Sequence, residues 1–513
     1  MKQLSTRLLV ILPALFLFVP VQLKAQNGSA PSSLDGFDGF VEQVMKDWSV
    51  PGLAVAIVKD GKVIYAKGYG YRDLKRGLKV TPDTLFAIGS CSKSFTVTAL
   101  ALLADEGKLD WDKPVRDYLP DFRLADADAT EHLRPRDLVT HQSGVPRHDF
   151  VFIRSPLSRR ELYDRLRYLE PSKPPHAQFQ YNNLMYMTAG LLVERLSGSA
   201  WEEFVRRRIF DPLGMKTSNF SVNDLQKTPD YALPYREQKG EVTALPFLNV
   251  DSIGPAGSIN STVNEMANWL LFHLGKGKFN GRQIISEWNL GRTHTPQMVL
   301  GGDLKYDESF YLSYAMAWIV TSYRGHLQLM HNGGIDGFTS QVLFLPKDQL
   351  GVVVLTNSIS LSSGVIATNA VERMLGLSQT PQSQRAKEEF AKNDEAQAKA
   401  KAESEAKRKK DTRPSHALAD YTGQFEHPAY QTLTITQAGD RLKFDLHGLT
   451  GELRHFHYDI FQVSESVVDL DGLLMTFVTN KEGEIDRVAI ELESSVKEIV
   501  FTRKARGQEK SAQ

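Results

Sequence analysis

Downstream of an apolar leader, residues Leu53 to Gly70 (LAVAIVKDGKVIYAKGYG) form two β-rich runs joined by Asp60-Gly61. That dipeptide between two such runs signals a tight hairpin, so antiparallel strands come first. A helical pattern from Phe40 to Trp48 precedes it, and folding proper starts near Phe37. The period then lengthens. Ser92 to Glu106 reads as an apolar helix ended by Gly107, and helical stretches recur over Arg160 to Leu169, Asn183 to Leu196, Trp201 to Ile209 and Val263 to Leu274. Thr262 and Glu265 open the last with a capping box, in which each side chain is expected to satisfy a free amide of the first turn. Strand patterns return at Tyr314 to Val320, His326 to His331, Thr339 to Phe344 and Gly351 to Leu355. Strands at both ends with helices between them predict an α+β fold: one antiparallel sheet completed by distant segments and flanked by helices.

From Ser383 to Asp411 the chain turns into an Ala-, Glu- and Lys-rich run with almost nothing apolar, the pattern of a solvated helix or linker. Beyond it, strand patterns alternate with Gly- and Asp-containing turns, which predicts an all-β module, a small barrel or sandwich. The organisation read from these shifts is a signal over residues 1–25, a first folded domain over 37–375, a charged helical linker over 376–415 and an all-β domain over 416–505. The leader has Lys2 and Arg7 ahead of an apolar stretch from Leu8 to Val21 and a cleavage point after Ala25, the plan of a secretory signal. The protein is therefore expected to be exported, periplasmic or secreted. Cys91 is the one cysteine of the chain, which excludes an intramolecular disulfide and a lipid-modified cysteine after the leader.

Composition changes this picture little. Lys+Arg and Asp+Glu both total 61, so no global field favours nucleic acid or an anionic membrane, and small neutral or zwitterionic substrates fit better.

Chemistry concentrates in three places. In Phe86-Ala-Ile-Gly-Ser90-Cys-Ser-Lys93, Ser90 and Lys93 lie three apart at the start of the apolar helix, so hydroxyl and amine share a face. A serine needs a base beside it, a buried lysine with a lowered pKa can serve, and the helix N-terminus offers amides to an oxyanion. Tyr181-Asn-Asn183 precedes a helix; the Tyr181 phenol can carry a proton, and the Asn183 amide can bind a substrate carbonyl and the lysine together, or else merely cap the helix. Leu329-Met-His331-Asn-Gly333-Gly334 reads as a strand running into a Gly-rich turn, with the Gly334 N–H completing an oxyanion hole and His331 facing the cleft as donor or relay. His455 and His457 share a strand face without an evident third ligand, and His141 and His148 read as structural. No metal and no cofactor is predicted.

The order S-x-x-K, Y-x-N, H-x-G resembles the penicillin-recognising serine hydrolases: class C β-lactamases, D-aminopeptidases, related esterases and carboxypeptidases. Leu138-Val-Thr-His-Gln-Ser-Gly144-Val-Pro146, Phe210-Asp-Pro-Leu-Gly-Met215 and the stretch from Gly254 to Thr262 look like the same family, so the resemblance covers Phe37 to Leu375. It implies a sheet flanked by helices, an all-helical subdomain, and a site between them made of Ser90, Lys93 and Tyr181 as catalytic groups with Asn183, His331, Gly333 and Gly334 as binding and oxyanion groups. The expected chemistry is hydrolysis of an amide or ester through an acyl-enzyme. Where class C enzymes carry K-T-G, this chain has His331-Asn332-Gly333, which resembles the D-aminopeptidase-like and esterase-like branches; a β-lactamase or D,D-carboxypeptidase is the alternative, and a non-catalytic binder of peptidoglycan-type peptides a rival of another class. The expected substrate is thus a small peptide, ester or β-lactam-like molecule. Residues Leu418 to Lys504, opening with Tyr421-Thr-Gly-Gln-Phe-Glu-His427, are similar to a lipocalin-like barrel, a domain that would shape substrate access or mediate self-association.

Overall fold

The computed structural model of the 513-residue chain describes residues 31–301, 306–466 and 470–505; the expected signal over residues 1–25 lies outside the described residues. Helix α1 (Phe37–Asp47) leads into the predicted hairpin of β1 (Gly52–Lys59) and β2 (Lys62–Asp73), followed by the short β3 (Leu78–Lys79). Helices fill the middle of the chain, among them α2 (Ser92–Asp105), α3 (Asn183–Ser197) and α4 (Val263–Leu274). Then come β4 (Met298–Val299), β5 (Ser309–Tyr314), β6 (Ile319–Tyr323), β7 (His326–Ile335), β8 (Phe338–Leu345) and β9 (Leu350–Thr356), and after them α5 (Ser362–Met374). The sheet order is β4-β5-β6-β7-β8-β9-β1-β2-β3, closed across the chain by the antiparallel pairing of Leu53 with Thr356 through Lys59 with Leu350.

Both faces of the central strands are covered, and the period of two shows why. Leu53, Val55, Ile57, Val352 and Val354 join one core with Phe37 and Val41 of α1 and Ile366 and Ala370 of α5. Ala54, Ala56, Val58, Val353 and Leu355 point the other way, into the larger core with Leu270 of α4. Helix α2 is buried from Ser92 to Leu103, so it runs through the core as its central helix and carries its polar residues Ser92, Lys93, Ser94, Thr96 and Thr98 inside with it.

Three details depart from the sequence reading. The strand expected over Tyr314 to Val320 is instead a hairpin corner, closed by the Ala315 N–H donating to Trp318 O at 2.7 Å and turned at Ala317 (φ 63°). The strand expected to stop at His331 continues through Gly333 and Gly334 to Ile335, and the turn falls at Asp336-Gly337. Gly333 serves close packing rather than turning: a Cβ there would collide with Ile88 O and Ser340 Oγ. Thr262 does accept from the Glu265 N–H at 3.1 Å, but the capping box is only half made. The Glu265 carboxylate accepts instead from the N–H groups of Thr217 and Ser218, both at 2.8 Å, because that loop passes within its reach.

The charged run forms helix α6 (Gln382–Ala406), none of whose residues is buried. The Trp48 indole N–H donates to Ser383 Oγ (3.1 Å) at one end, and the Arg408 guanidinium donates to Phe456 O (2.7 Å) just past the other. Strands β10 (Gly423–His427), β11 (Gln431–Ala438), β12 (Arg441–Leu446), β13 (Leu449–His457), β14 (Ile460–Ser464), β15 (Leu474–Thr479), β16 (Ile485–Ile490) and β17 (Ile499–Arg503) then close an antiparallel barrel. Its buried side chains include Tyr421, Phe425, Phe461, Phe477 and Phe501, with the Tyr421 ring 5.2 Å from Phe461 and 5.1 Å from Phe477.

The barrel docks on the loop that carries His148. The buried imidazole donates from Nε2 to Glu170 O (2.9 Å) and accepts at Nδ1 from the Tyr430 hydroxyl (2.7 Å), and its backbone N–H donates to the Glu493 carboxylate (3.1 Å). Burial holds this imidazole below its ordinary pKa, so it bridges the two domains uncharged. His148→Ala leaves Tyr430 OH and Glu170 O without a partner and is expected to destabilise the chain by about 2–3 kcal/mol. Urea unfolding checks this; an unchanged midpoint would show that the bridge contributes nothing.

Candidate active site

Ser90 stands in a short turn, Gly89–Cys91, at the entry of α2. Gly89 makes that turn possible, because it has φ 50° and an added Cβ would lie 2.9 Å from Gly334 N. Across from it, the Ser340 hydroxyl of β8 donates to Ile88 O at 2.8 Å, which ties the serine turn to the sheet. Cys91, next in sequence, is packed against Ser340 Oγ at 3.2 Å, and burial pushes its thiol up to about 12. It is a packing residue.

The Lys93 amine is wholly buried and lies 3.0 Å from Ser90 Oγ, 2.8 Å from Asn183 Oδ1 and 2.8 Å from Ala256 O. Burial, reinforced by the nearby Arg147 charge, holds its pKa well below the ordinary lysine range, with Asp149 opposing in part. A neutral amine has two N–H donors and one lone pair. The two carbonyl oxygens take the donors, so the lone pair is left facing the Ser90 hydroxyl. The Tyr181 hydroxyl donates to the same Ser90 Oγ at 2.6 Å, and burial pushes the phenol above its ordinary range, so it keeps its proton.

Neighbouring residues fix this geometry. Asn182, not Asn183, is the N-cap of α3: its Oδ1 accepts from the Met185 N–H at 2.9 Å. That leaves the Asn183 amide free, its oxygen on Lys93 and its Nδ2 donating to Asp149 Oδ1 at 3.2 Å. The Asn182 backbone N–H donates to Nδ1 of His141, whose ring lies 4.3 Å from that of Tyr181. Arg147 pairs with Asp149 at 2.6 Å and covers the Tyr181 ring at 5.0 Å, closing a ring of contacts through Asp149, Asn183, Lys93, Ser90 and Tyr181.

The cleft over Ser90 has a volume of about 390 Å³, and Arg147, Tyr181, Asn332, Gly333 and Gly334 stand among its walls. His331 does not face it. The imidazole is 2% exposed, donates from Nδ1 to Asn332 O (2.6 Å) and accepts at Nε2 from the Tyr314 hydroxyl (3.0 Å). The ring stops at the Tyr314 hydroxyl, and burial with the nearby Lys93 lowers its pKa to about 4. The cation at the cleft wall is Arg147 instead. Sequence reasoning takes Asp149, with His148, as structural and passes over Arg147 and the Ala256 carbonyl; Arg147 and Asp149 lie just past the Leu138 to Pro146 motif, which is the available signal.

Gly334 N–H fits an oxyanion donor by register. The β7–β8 hairpin closes at Ile335↔Phe338, hydrogen-bonded pairs alternate from there, and Gly334↔Thr339 is a non-bonded pair. Its N–H and C=O therefore point off the sheet edge, beside Gly89. His455 and His457 find no third ligand: among the described residues no group of three or more His, Cys, Asp or Glu is placed to hold a metal.

Comparison with known proteins shows the family and the fold. The family described as Beta-lactamase matches residues 37–371, and a domain of unknown function, DUF3471, matches residues 407–503. The unguisins hydrolase ungD' of Aspergillus campestris is 31% identical over 435 residues, which cover 80% of this chain and 79% of that protein. Protein flp of Staphylococcus aureus (strain MRSA252) is 29% identical over 326 residues, 62% of either chain, so the match spans less than two thirds of its length. In fold, the octameric penicillin-binding protein homologue from Pyrococcus abyssi covers 91% of this chain and 100% of its own at TM-score 0.62 and 23% identity. The D-amino acid amidase from Ochrobactrum anthropi SV3 covers 67% and 98% at TM-score 0.55 and 23% identity. With its first 300-odd folded residues matched end to end by that family model, the chain belongs to the β-lactamase family, the penicillin-recognising serine hydrolases.

Proposed function

We propose that the protein hydrolyses amide or ester bonds of peptide-like substrates through an acyl-enzyme on Ser90, in the manner of D-aminopeptidase-like peptidases and esterases. The observation that carries this reading is the Lys93 amine, buried and held by two carbonyls within 3.0 Å of the Ser90 hydroxyl, where burial pushes its pKa down. Ser90 Oγ attacks the carbonyl carbon while its proton passes to Lys93 Nζ, and the Ser90 and Gly334 N–H groups hold the oxyanion. As the C–N or C–O bond breaks, the Tyr181 hydroxyl gives its proton to the leaving group and is reprotonated from Lys93. Water then repeats the sequence in reverse to release the acyl group. This assigns the base to Lys93 and the proton transfer to Tyr181, because burial disfavours the charged form of each.

A neutral His331 beneath the cleft supports peptides and esters over β-lactams, since a cation in that position would be the partner for a β-lactam carboxylate. The leader supports export. Self-association through the barrel is the further part of this reading, and size-exclusion chromatography with light scattering tests it.

A fluorophosphonate probe is expected to add one adduct to the intact protein and none to Ser90→Ala; an equal adduct on both would remove Ser90 as nucleophile. Tyr181→Phe should fold normally and lose about 10²–10⁴-fold in turnover of p-nitrophenyl esters or aminoacyl anilides. Near-normal turnover would exclude the phenol. Lys93 also leaves a signature in stability. Its folded pKa lies below the unfolded value near 10.5, so between the two the unfolded chain binds the extra proton and stability rises with pH. Lys93→Met should flatten that slope by up to about 1.4 kcal/mol per pH unit, read by urea unfolding between neutrality and pH 10. Parallel profiles would mean that the buried amine is charged.

A further inference from the structure

We propose that the cavity walled by the two domains is a second binding site, separate from the Ser90 cleft, which takes a short peptide with free termini and an apolar side chain as an effector of the catalytic domain. The inference concerns a different site from the acyl-transfer reading and uses Ser90 chemistry only as a readout.

The cavity has a volume of about 900 Å³, and pockets of roughly 300–1,000 Å³ enclose ligands of drug size. Arg154 and Asp336 of the catalytic domain and His447 of the barrel stand among its walls, and Phe247 and Leu248 supply apolar surface. Most of the charge around it is spent within the fold. Arg159 holds Glu194 at 2.6 Å, Arg160 pairs with Asp121 and Asp164, and Asp251 accepts from the Ser221 hydroxyl (2.8 Å) and the Asn249 amide (2.9 Å). That leaves Arg154 and Asp336, which have no hydrogen-bond or ion-pair partner among the described residues. One uncommitted cation and one uncommitted anion in the same cavity match a ligand that carries both charges, its carboxylate on the guanidinium and its ammonium on Asp336. Phe247, stacked on Phe338 with ring centroids 6.2 Å apart, offers a fixed apolar face to the side chain between them.

No residue of the Ser90 cleft lines this cavity, yet its walls are the far ends of the segments that build the catalytic site. Arg154 lies five residues past Asp149, Asp336 two past Gly334, and Ser252 four before Ala256, while Leu191 is on α3, which opens with Asn183. The barrel meets the first of these segments directly. The Gln431 amide donates to Ser155 Oγ at 2.8 Å, and Gly448 passes Arg154, a Cβ there lying 4.0 Å from the arginine Cβ. A peptide that touches both walls binds the docked barrel and not a loosened one, so it shifts that equilibrium toward docking. Docking is what the His148 contacts with Tyr430 and Glu493 accomplish, and the next residue, Asp149, accepts from the Asn183 amide beside Lys93.

Calorimetric titration of leucyl-phenylalanine into the full chain, with Ser90 already blocked by the fluorophosphonate, reads this cavity while the cleft is filled. Saturable one-to-one binding is expected. Arg154→Gln, Asp336→Asn, or exchange of the peptide for N-acetyl-leucyl-phenylalanine amide should each weaken it about tenfold or more, because each removes a charge-assisted contact. In unblocked protein, saturating peptide should speed fluorophosphonate labelling of Ser90 about fivefold in the wild type and leave both variants unchanged. Thermal melting checks that the variants are folded, and Leu248→Trp, which fills the cavity, replaces any that melts early. No binding to the blocked protein, binding that no variant weakens, or a labelling rate that stays level or falls with peptide would overturn the inference while leaving acyl transfer intact. Failure of the probe to label at all would remove the acyl-transfer reading, and titration of the unlabelled protein and its variants then decides the site by itself.

Discussion

An amine sealed from water with a hydroxyl and two carbonyls around it sets the terms for the catalytic domain. A charged ammonium at the Lys93 position would need a compensating anion, and the carboxylate in the neighbourhood, Asp149, is already engaged by Arg147 and Asn183. The uncharged form needs only what is there, Asn183 Oδ1 and Ala256 O for its hydrogens and Ser90 for its lone pair. Placing those acceptors takes much of the packing. Thr96, one turn further along α2, donates to Pro255 O at 2.7 Å and so pins the segment that offers Ala256 O. Gly190 on α3 is required at the same junction, because any Cβ would run into the Pro255 ring. Core packing and proton chemistry are thus the same set of contacts seen at different depths.

The opposite wall obeys a second constraint, closeness of backbone to backbone. Strand β7 approaches the serine turn so tightly that Gly89 and Gly333 cannot carry side chains, and Ser340 fills the gap with a hydrogen bond to Ile88 O. The strand edge is open there because the chain turns at Ala315 to Trp318 before β6 begins, leaving β7 longer than its neighbour. An edge left bare in this way is a liability elsewhere in proteins. At an acyl-transfer site it is the feature that a peptide substrate requires.

Local patterning made the architecture legible. The Asp60-Gly61 hairpin, the α2 and α3 periods and the alternation of the barrel strands depend on neighbours in sequence, and they stand where those patterns place them. Motif order was enough to group Ser90, Lys93, Tyr181 and Asn183, which the fold brings within hydrogen-bond reach of one another. What escaped depends on contacts between distant segments. The strand running into a Gly-rich turn predicts His331 at the cleft, and only the Tyr314 hydroxyl, contributed from β5, shows where the ring stops. Glu265 looked like half of a capping box until the Thr217–Ser218 amides claimed it. Ala256 O could not be anticipated at all, since a backbone carbonyl leaves no mark on the residue type.

The loop from Arg147 to Asp149 joins the barrel to this chemistry through a single residue. His148 has a left-handed backbone (φ 47°), which turns its side chain away from those of its neighbours. Arg147 and Asp149 therefore reach inward, to the Tyr181 ring and the Asn183 amide, while His148 reaches outward to Tyr430 and Glu493 of the barrel. A left-handed conformation is unfavourable for a residue with a Cβ, by roughly 1–2 kcal/mol, and it persists where surrounding contacts over-determine it. Here those contacts come from the barrel on one side and the site on the other. The second domain is consequently part of what holds Asp149 against Asn183, and through Asn183 the acceptor that aims Lys93 at Ser90.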